Sequence, residues 1–523
     1  MRLEVELVKH SLVYVSEEMG VALRKSAYSP NIRERADHSC AILDASGRLI
    51  GQAEHIPVHI GSLPLGLRNA LRYLEERGVE VREGDMYVLN DPYIAGTHLN
   101  DVTTIRPVFH RGKLVGYVAN KAHQVDVGGI DPASISMRAE TIWQEGLIIP
   151  PVRLMKGNRL VEDVVELISS NTRTPEVTLG DLRAQVAANL LGERKLLELI
   201  ERVSLPVFEE AVEEVLERTN RAVRSELSRM PHGRSRAEDY LELDERDLTI
   251  RAEVEVSQEG FRVDFEGTDP QVERPLNAVL GVTTAAATYT FRTLLGSDVL
   301  LNDGFVRTVT VRAPPGTIVN PVKPAPVSAG NLETSQRIVD VIYRALAEIV
   351  PERVPAASNG SMNNLMMGGV HPETGKTWAF YETIGGGGGA RPGMDGVDGV
   401  HCHMTNTLNT PIEVIEHYYP VLFVCYRLRE GSGGEGRWRG GMGIERGFRA
   451  LARIKVTVIG ERSRHRPWGL RGGGDGAPSE YVVERTSGER VRLRSKDATV
   501  LEQGDVLIIR TAGGGGYGRP TGP

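Results

Sequence analysis

The stretch THLNDVTTIRPVFHRGKLVGYVANKAHQVD, residues 97 to 126, places two β-forming segments on either side of a short polar turn. Valine, threonine, isoleucine and tyrosine dominate both segments, and His110-Arg111-Gly112-Lys113 between them is typical of a tight turn. The pattern predicts a β-hairpin. If the chain turns about Arg111 and Gly112, the numbers of paired residues sum to about 223. This register places Asp101 opposite Ala122 and His98 opposite Val125.

The open end of this hairpin carries one polar pattern twice. His98 and Asp101 precede the first strand, His123 and Asp126 follow the second, and both pairs have the spacing His-x-x-Asp. Cross-strand neighbours lie about 5 Å apart at Cβ, so the four side chains should converge. Neutral imidazole and carboxylate together suit Zn, Mn or Fe. A single pair is more often a surface hydrogen bond, but two pairs at one hairpin end favour a divalent metal site.

Helical periodicity dominates the N-terminal half, and β-forming residues with many glycines dominate the last third. The sequence therefore predicts an α+β, multidomain protein with mixed or antiparallel sheets, long helices in the N-terminal half and a Gly-rich, β-dominated C-terminal part. The predicted helices cover residues 7–27, 65–77, 182–229 with a break near Ser204-Leu205-Pro206, 283–295 and 336–350, and further strand pairs cover 39–44 with 48–52 and 249–256 with 261–265.

A chain of 523 residues is too long for one ordinary hydrophobic core. Met230-Pro231-His232-Gly233 marks a boundary after the long helices. We therefore predict three parts. They are a metal-binding N-terminal domain that ends in a pair of helices, residues 1–232, an α+β middle domain, residues 233–350, and a Gly-rich, β-dominated C-terminal domain, residues 351–523.

Composition excludes several classes of function. The net charge of −7 is spread along the chain, which argues against nucleic acid or an anionic membrane as the main partner. No window of about eighteen apolar residues occurs, and the start, Met1-Arg2-Leu3-Glu4-Val5-Glu6, is acidic where a secretory signal is basic. We therefore expect a cytoplasmic protein. The three cysteines have no CxxC spacing, which favours buried reduced thiols.

Two glycine-containing strings could suggest nucleotide binding. In residues 369–377, which end in Gly375-Lys376-Thr377, the first glycine of a phosphate-binding loop is displaced by one position, and a strand-like segment follows where a helix is required. A hairpin turn explains this string better. The run Gly385 to Gly389 lacks the strand and acidic residue of a dinucleotide fingerprint. Its glycines are expected to let backbone pass close to other backbone.

Several long blocks follow one another in a fixed order along nearly the whole chain. They are Ala53 to Ser62, Asn90-Asp91-Pro92-Tyr93, Thr97 to Val102, Ala122 to Gly129, Gln144-Glu145-Gly146-Leu147-Ile148-Ile149-Pro150-Pro151, Asn331-Leu332-Glu333-Thr334-Ser335-Gln336 and Gly513 to Gly518. Together these blocks resemble the hydantoinase B / oxoprolinase family. This family includes B subunits of ATP-dependent N-methylhydantoinases, the corresponding half of 5-oxoprolinase, caprolactam-acting lactamases, and large subunits of acetone and acetophenone carboxylases.

The resemblance implies a two-part, ATP-dependent enzyme in a hetero-oligomer. An A-type partner subunit uses ATP to phosphorylate the oxygen of a cyclic amide or ketone, and this B-type chain completes the reaction at a divalent metal, Mn, Zn or Fe. The metal ligands implied by the family are Asp37, His98, Asp101 and His123. Asp126 then becomes a partner of a ligating imidazole or a general base, and His59 is a second candidate for the base.

Three functions remain open from the sequence. The first is the B subunit of an amidohydrolase that opens a hydantoin, 5-oxoproline or another lactam. The second is a ketone carboxylase subunit of the acetone or acetophenone carboxylase type, although the large subunits of acetone carboxylases are longer. The third is a scaffold with a structural metal. A lone A-type neighbouring reading frame would favour the hydrolase, and an additional small zinc-binding subunit would favour the carboxylase.

Overall fold

The computed structural model describes residues 2–53, 55–59, 61–244, 246–296 and 299–520. Several antiparallel sheets combine with long helices, which confirms the predicted multidomain α+β class. Glu54 and Ile60, in the block from Ala53 to Ser62, lie outside the described residues. The helices are α1 (Arg2–Ser26), α2 (Pro30–Arg33), α3 (Ser62–Glu76), α4 (Pro92–Ala95), α5 (Glu162–Ser170), α6 (Pro175–Val203), α7 (Leu205–Leu227), α8 (Leu280–Arg292), α9 (Asp303–Val306), α10 (Ser335–Leu346) and α11 (Ile412–Tyr418).

Among the described residues, the strands form four sheets. The strands are β1 (His38–Asp44), β2 (Leu49–Gln52), β3 (Met86–Leu89), β4 (Asp101–His110), β5 (Lys113–His123), β6 (Val152–Lys156), β7 (Arg159–Leu160), β8 (Gly233–Leu243), β9 (Arg246–Val256), β10 (Phe261–Asp264), β11 (Val309–Arg312), β12 (Asn364–Val370), β13 (Thr377–Thr383), β14 (Val421–Arg429), β15 (Gly443–Ala450), β16 (Ile454–Ile459), β17 (Glu480–Glu484), β18 (Arg490–Leu493), β19 (Lys496–Leu501) and β20 (Val506–Arg510).

The first sheet has the order β2-β1-β5-β4-β3-β6-β7, and every pair of neighbours is antiparallel. Helices α1, α6 and α7 cover one face, where Leu12 and Val215 pack with Ile42. Helix α3 covers the other face, where Leu67 packs with Ile105. The sheet is therefore buried on both sides, and polar side chains at its strand ends are removed from water.

The predicted hairpin of β4 and β5 is confirmed, but the predicted register is wrong at its open end. Near the turn, Phe109 pairs with Leu114, a sum of 223, as expected. A β-bulge between Val108 and Phe109 inserts one residue, so the sum becomes 224 farther along the strands. Asp101 therefore pairs with His123 instead of Ala122, and His98 lies in the turn before β4 instead of opposite Val125.

Helices α6 and α7 confirm the predicted helical pair and its break. Ser204 between them has φ of +70°, and Pro206 lies in the first turn of α7, so one continuous helix cannot form. The predicted helices 283–295 and 336–350 correspond to α8 and α10. Among the described residues, no helix combines the length and apolar content needed to cross a membrane.

The second sheet has the order β11-β10-β9-β8, with β10 and β11 parallel, and packs against α8 and α10. One large hydrophobic cluster includes Met86 from the first sheet, Phe291 from α8 and Ile459 from β16. Apolar packing therefore continues across the predicted boundaries near residues 232 and 350. The three-domain division remains a prediction.

The C-terminal part contains two sheets, with the orders β13-β12-β16-β19 and β14-β15-β20-β17-β18. The string 369–377 lies across the hairpin that joins β12 to β13, which confirms the turn and excludes a phosphate-binding loop. The glycine runs pack against each other through backbone hydrogen bonds, for example from Gly514 to Gly441 and from Gly441 to Gly388. A Cβ on Gly514 would overlap the Gly388 carbonyl oxygen. Close backbone approach therefore explains these glycines.

Candidate metal centre

Three polar side chains meet at the open end of the β4–β5 hairpin. Asp101 is the first residue of β4 and pairs with His123, the last residue of β5. The turn before β4 adds His98, whose carbonyl oxygen accepts a hydrogen bond of 3.1 Å from the Asp101 backbone N–H. All three side chains are at most 2% exposed. The hairpin and its preceding turn therefore bring together His98, Asp101 and His123, as the sequence predicted.

Their nitrogen and oxygen atoms form a nearly equilateral triangle. His98 Nε2 lies 3.1 Å from His123 Nδ1 and 3.2 Å from Asp101 Oδ1, and His123 Nδ1 lies 3.3 Å from that same oxygen. Ligands held at about 2.1 Å from one cation are separated by roughly 3.0–3.4 Å. His123 Nε2 and Asp101 Oδ2 are buried without a hydrogen-bond partner. The three residues therefore fit a divalent cation.

The electrostatics of this triad favour an ionised Asp101 and a neutral His123, and they favour a proton on His98. Burial alone would raise the pKa of Asp101, but the imidazoles of His98 and His59 hold it well below its usual value. Burial lowers the pKa of His123. Burial would also lower the pKa of His98, but the Asp101 carboxylate raises it. Asp101 is therefore an anion and His123 a neutral ligand, while the proton on the metal-facing side of His98 must leave when a cation binds.

The orientation of the His98 ring is fixed by a backbone carbonyl. His98 Nδ1 lies 3.1 Å from the carbonyl oxygen of Ser328. Because a carbonyl only accepts, Nδ1 must carry a hydrogen, so in the neutral ring the lone pair is on Nε2, which is directed toward Asp101 and His123. Ser328 lies 230 residues farther along the chain, and no pattern around His98 points to it.

Asp37, the ligand implied only by family resemblance, lines the same cavity. Its carbonyl oxygen accepts a hydrogen bond from the His123 backbone N–H, which joins the two segments. Within the described ranges, the Asp37 carboxylate has no donor within hydrogen-bond distance, and Arg35 Nη2 lies 3.6 Å away. An anionic oxygen without a hydrogen bond, facing this cavity, suits a fourth ligand.

His59 lies on the opposite side of Asp101 from the other two imidazoles. Its Nε2 is 3.4 Å from Asp101 Oδ2, and its Nδ1 is 2.9 Å from Ser39 Oγ. The Ser39 hydroxyl also accepts a hydrogen bond from the Ile56 backbone N–H. Asp101 therefore contacts the His98 and His123 pair through one oxygen and His59 through the other.

Asp126 does not join this group, contrary to the predicted convergence of four side chains. Its carboxylate accepts hydrogen bonds from Arg173 and from the backbone N–H groups of Gly128 and Ala133. The second His-x-x-Asp has the spacing of the first but a different backbone path, because His123 ends a strand and the following residues turn away. Asp126 anchors the loop after β5 and has no contact with the three residues of the triad.

The cavity is also lined by residues from distant parts of the chain. Its volume is about 20 Å³, enough for one cation or one water molecule. Tyr381 stacks on the His123 ring with centroids 4.6 Å apart. The other lining residues are Ile56, Val58, Asn331, Leu332, Met362, Thr383, Met404, Thr405 and Thr407.

The model of the hydantoinase B/oxoprolinase family matches residues 1–520. The chain belongs to the hydantoinase B/oxoprolinase family. The resemblance seen in the sequence blocks is thereby confirmed.

Relatives of this hydantoinase B/oxoprolinase chain come from archaea, plants and bacteria. An uncharacterised protein of Methanocaldococcus jannaschii is 48% identical over 99% of this chain and 91% of its own length. The 5-oxoprolinase 1 of Arabidopsis thaliana is 37% identical over 98% of this chain and 42% of its own length. The B-type subunit of a putative D-/L-hydantoinase from a Pseudomonas species is 32% identical over 99% of this chain and 90% of its own length. The chain thus spans about two fifths of the plant 5-oxoprolinase.

Two solved structures share the fold of this hydantoinase B/oxoprolinase chain. The ATP-dependent caprolactamase of Pseudomonas jessenii has a TM-score of 0.92 and 29% identity over 99% of this chain and 91% of that chain. Nucleotide-free acetone carboxylase has a TM-score of 0.91 and 20% identity over 99% of this chain and 76% of that chain. The second likeness shows the fold alone.

Proposed function

We propose that this chain is the B subunit of an ATP-dependent amidohydrolase that opens a hydantoin, 5-oxoproline or a related lactam. It hydrolyses an intermediate that an A-type partner subunit has phosphorylated. The observation that carries this proposal is the buried triad of His98, Asp101 and His123, in a chain whose relatives include proteins named 5-oxoprolinase and hydantoinase. The caprolactamase likeness supports the same substrate class.

His98, Asp101 and His123 would hold the metal, with Asp37 as the fourth ligand. Two imidazoles and two carboxylates suit Mn, Zn or Fe. When bound, such a cation supplies Lewis acidity and lowers the pKa of a coordinated water toward about 7. The buried, rigid strand ends fix the positions of the donors, and the hydrogen bond from His98 to Ser328 sets the ring orientation.

His59 is our candidate for the group that receives a proton from the attacking water. An amide is a poor electrophile, and phosphorylation of its oxygen activates the carbon for attack by water. After water adds, the ring C–N bond breaks as the nitrogen takes up a proton, and the acyl phosphate that remains is hydrolysed to a carboxylate and phosphate. His59 lines the cavity and is placed to take the proton of the attacking water. The Asp101 carboxylate, 3.4 Å from His59 Nε2, would stabilise the imidazolium that forms. The Ser39 hydroxyl accepts the Ile56 N–H and donates its own hydrogen to Nδ1, which orients the ring, so the proton would be taken up at Nε2.

The partner supplies the nucleotide chemistry in this proposal. The string that ends in Gly375-Lys376 lies in a hairpin turn, where it cannot cradle phosphates as a loop before a helix does. The Pseudomonas relative is named as one of the lettered subunits of a hydantoinase, which supports a hetero-oligomer with an A-type subunit. A ketone carboxylase remains the second candidate because acetone carboxylase shares the fold.

The test is coexpression of this chain with the A-type protein encoded beside it, followed by purification of the complex. ATP hydrolysis is measured with a panel of lactams, and with ketones plus bicarbonate. We expect stimulation by at least one lactam together with its ring-opened product, and loss of that product in Asp101→Asn. Stimulation only by a ketone with bicarbonate would replace the hydrolase with the carboxylase. No stimulation by any compound would overturn both.

A further inference from the structure

Glu145 is a buried carboxylate that the proposed reaction does not use. Only 1% of this residue is exposed, and no lysine, arginine or histidine in the described part of the chain pairs with it. Glu145 instead accepts hydrogen bonds from two successive backbone N–H groups, Val327 at 3.0 Å and Ser328 at 2.8 Å. Burial raises the pKa of Glu145 to about 7 in spite of these bonds. Keeping such a group inside a protein is costly, so a specific role is expected.

Glu145 is hydrogen-bonded to Ser328, and Ser328 orients His98, a ligand in the proposed metal site. Ser328 donates its N–H to Glu145 and accepts the Nδ1–H of His98 on its carbonyl oxygen. A continuous path of two hydrogen bonds, 2.8 and 3.1 Å long, therefore connects the buried carboxylate to the imidazole. A shift of this backbone would release the His98 ring or turn its Nε2 away from Asp101.

The turn that carries Glu145 is itself firmly anchored. It follows a short 3-10 helix, Ile142–Gln144, whose first N–H donates to the carbonyl oxygen of Pro324. On its other side, Leu147 donates its N–H to Val127. The turn is thus hydrogen-bonded to the backbone at Pro324, Val327 and Ser328. These bonds allow it to hold the segment 324–328 in a fixed position.

We propose that Glu145 is a positioning residue, which fixes the Ser328 carbonyl so that His98 presents Nε2 to the metal. This inference rests on the metal site of the proposed function. It gives a physical role to the block Gln144 to Pro151, which contributes no side chain to the triad. Glu145 touches neither the metal nor the substrate.

The test uses two variants and a matched control. In Glu145→Gln, the negative charge is lost and the amide nitrogen replaces Oε2, where it faces the Val327 N–H and repels it. In Glu145→Asp, the charge stays but the shorter side chain cannot reach both N–H groups. The control is Tyr93→Phe, because the Tyr93 hydroxyl donates to the Ala325 carbonyl oxygen at 2.8 Å and so holds the same segment without touching Ser328.

Co²⁺ binding to the purified full-length chain is followed by its visible absorption. We expect both Glu145 variants to bind Co²⁺ about 10- to 100-fold more weakly than wild type, with an altered absorption spectrum, and Tyr93→Phe to stay within about twofold. A purely structural role would lower the unfolding temperature and leave the spectrum and affinity of the folded protein unchanged. That result in either Glu145 variant would overturn the proposal.

One further measurement does not depend on variants folding. Long-range proton–nitrogen NMR of histidine-labelled, metal-free wild type should show His98 with its hydrogen on Nδ1. A hydrogen on Nε2 alone would contradict the inferred orientation. If wild type bound no Co²⁺, the metal-dependent function would fail together with this inference. If wild type bound Co²⁺ normally and the Glu145 variants did so equally, only this inference would fail.

Discussion

Lys121 is a buried lysine beside the candidate metal centre, and replacing it with methionine should change how stability depends on pH. Its Nζ donates to Ser62 Oγ at 3.1 Å, to the Ala95 carbonyl oxygen at 3.0 Å and to Thr97 Oγ1 at 2.9 Å. Thr97 precedes His98, and Ser62 Oγ donates a hydrogen bond to the carbonyl oxygen of His59. Lys121 therefore ties together two turns of the site. Methionine keeps the chain length but removes all three donors.

The size of the pH-dependent change in the free energy of unfolding follows from the shifted pKa of Lys121. Burial lowers the pKa of Lys121 to about 8 from 10.5, although Asp101 opposes this shift. Between these pKa values the unfolded chain binds the proton and the folded chain does not, so stability rises with pH. From about pH 7.5 to about pH 9.5, this contribution grows by about 1.8 kcal/mol in favour of the folded state. Lys121→Met lacks the group, so its stability relative to wild type should fall by that amount.

The assay is urea unfolding of chelator-treated wild type and Lys121→Met at several pH values, analysed on the first transition. Lys113→Met is the control, because Lys113 is exposed in the hairpin turn. Its stability relative to wild type should stay constant over this range. A difference between wild type and Lys121→Met that is flat, or that shrinks as pH rises, would refute a buried ammonium at this position.

Three further predictions concern His59, Asp126 and Gly514. His59→Gln should lower lactam-stimulated turnover of the complex by about 100-fold or more while bound metal stays unchanged; equal turnover would remove His59 as the base. Asp126→Asn should destabilise the fold by about 2 kcal/mol, because Arg173 loses its carboxylate, without changing turnover of the folded protein. Unchanged stability with lost turnover would restore Asp126 as a catalytic candidate. Gly514→Ala should prevent soluble expression because its Cβ overlaps the Gly388 carbonyl, whereas Gly296→Ala, with open space around it, should express normally.

The sequence predicted the hairpin because strand period and turn chemistry are local signals. The break between α6 and α7 at Ser204 was predictable for the same reason, since proline near a helix start stops the preceding helix. The bulge beside Phe109 was not predictable, because it depends on how β4 fits between β3 and β5. A register error of one residue followed.

The two His-x-x-Asp pairs show what spacing cannot decide. His98 and Asp101 close a turn through their backbones and point to one place. After His123 the chain leaves the sheet, and the Asp126 carboxylate pairs with Arg173. Identical spacing on different backbone paths directs side chains differently. Two aspartates therefore looked equivalent in the sequence, and only one lies in the triad.

The sequence pattern could not predict which residues from distant parts of the chain lie at the site. Ser328, Tyr381 and Thr405 reach the site through the packing of the later sheets and helices. The one signal in the sequence was the order of family-like blocks. One of those blocks, Gln144 to Pro151, contains Glu145, and another, Asn331 to Gln336, contains the cavity-lining residues Asn331 and Leu332.

Calorimetric titration of Mn²⁺ into the chelator-treated chain tests the metal site most directly. We expect one cation per chain, with affinity reduced about 100-fold or more in His98→Ala and in His123→Ala. Affinity should be unchanged in His110→Ala, because His110 lies at the other end of β4. Binding of no cation, or equal binding by wild type and both triad variants, would contradict the metal site.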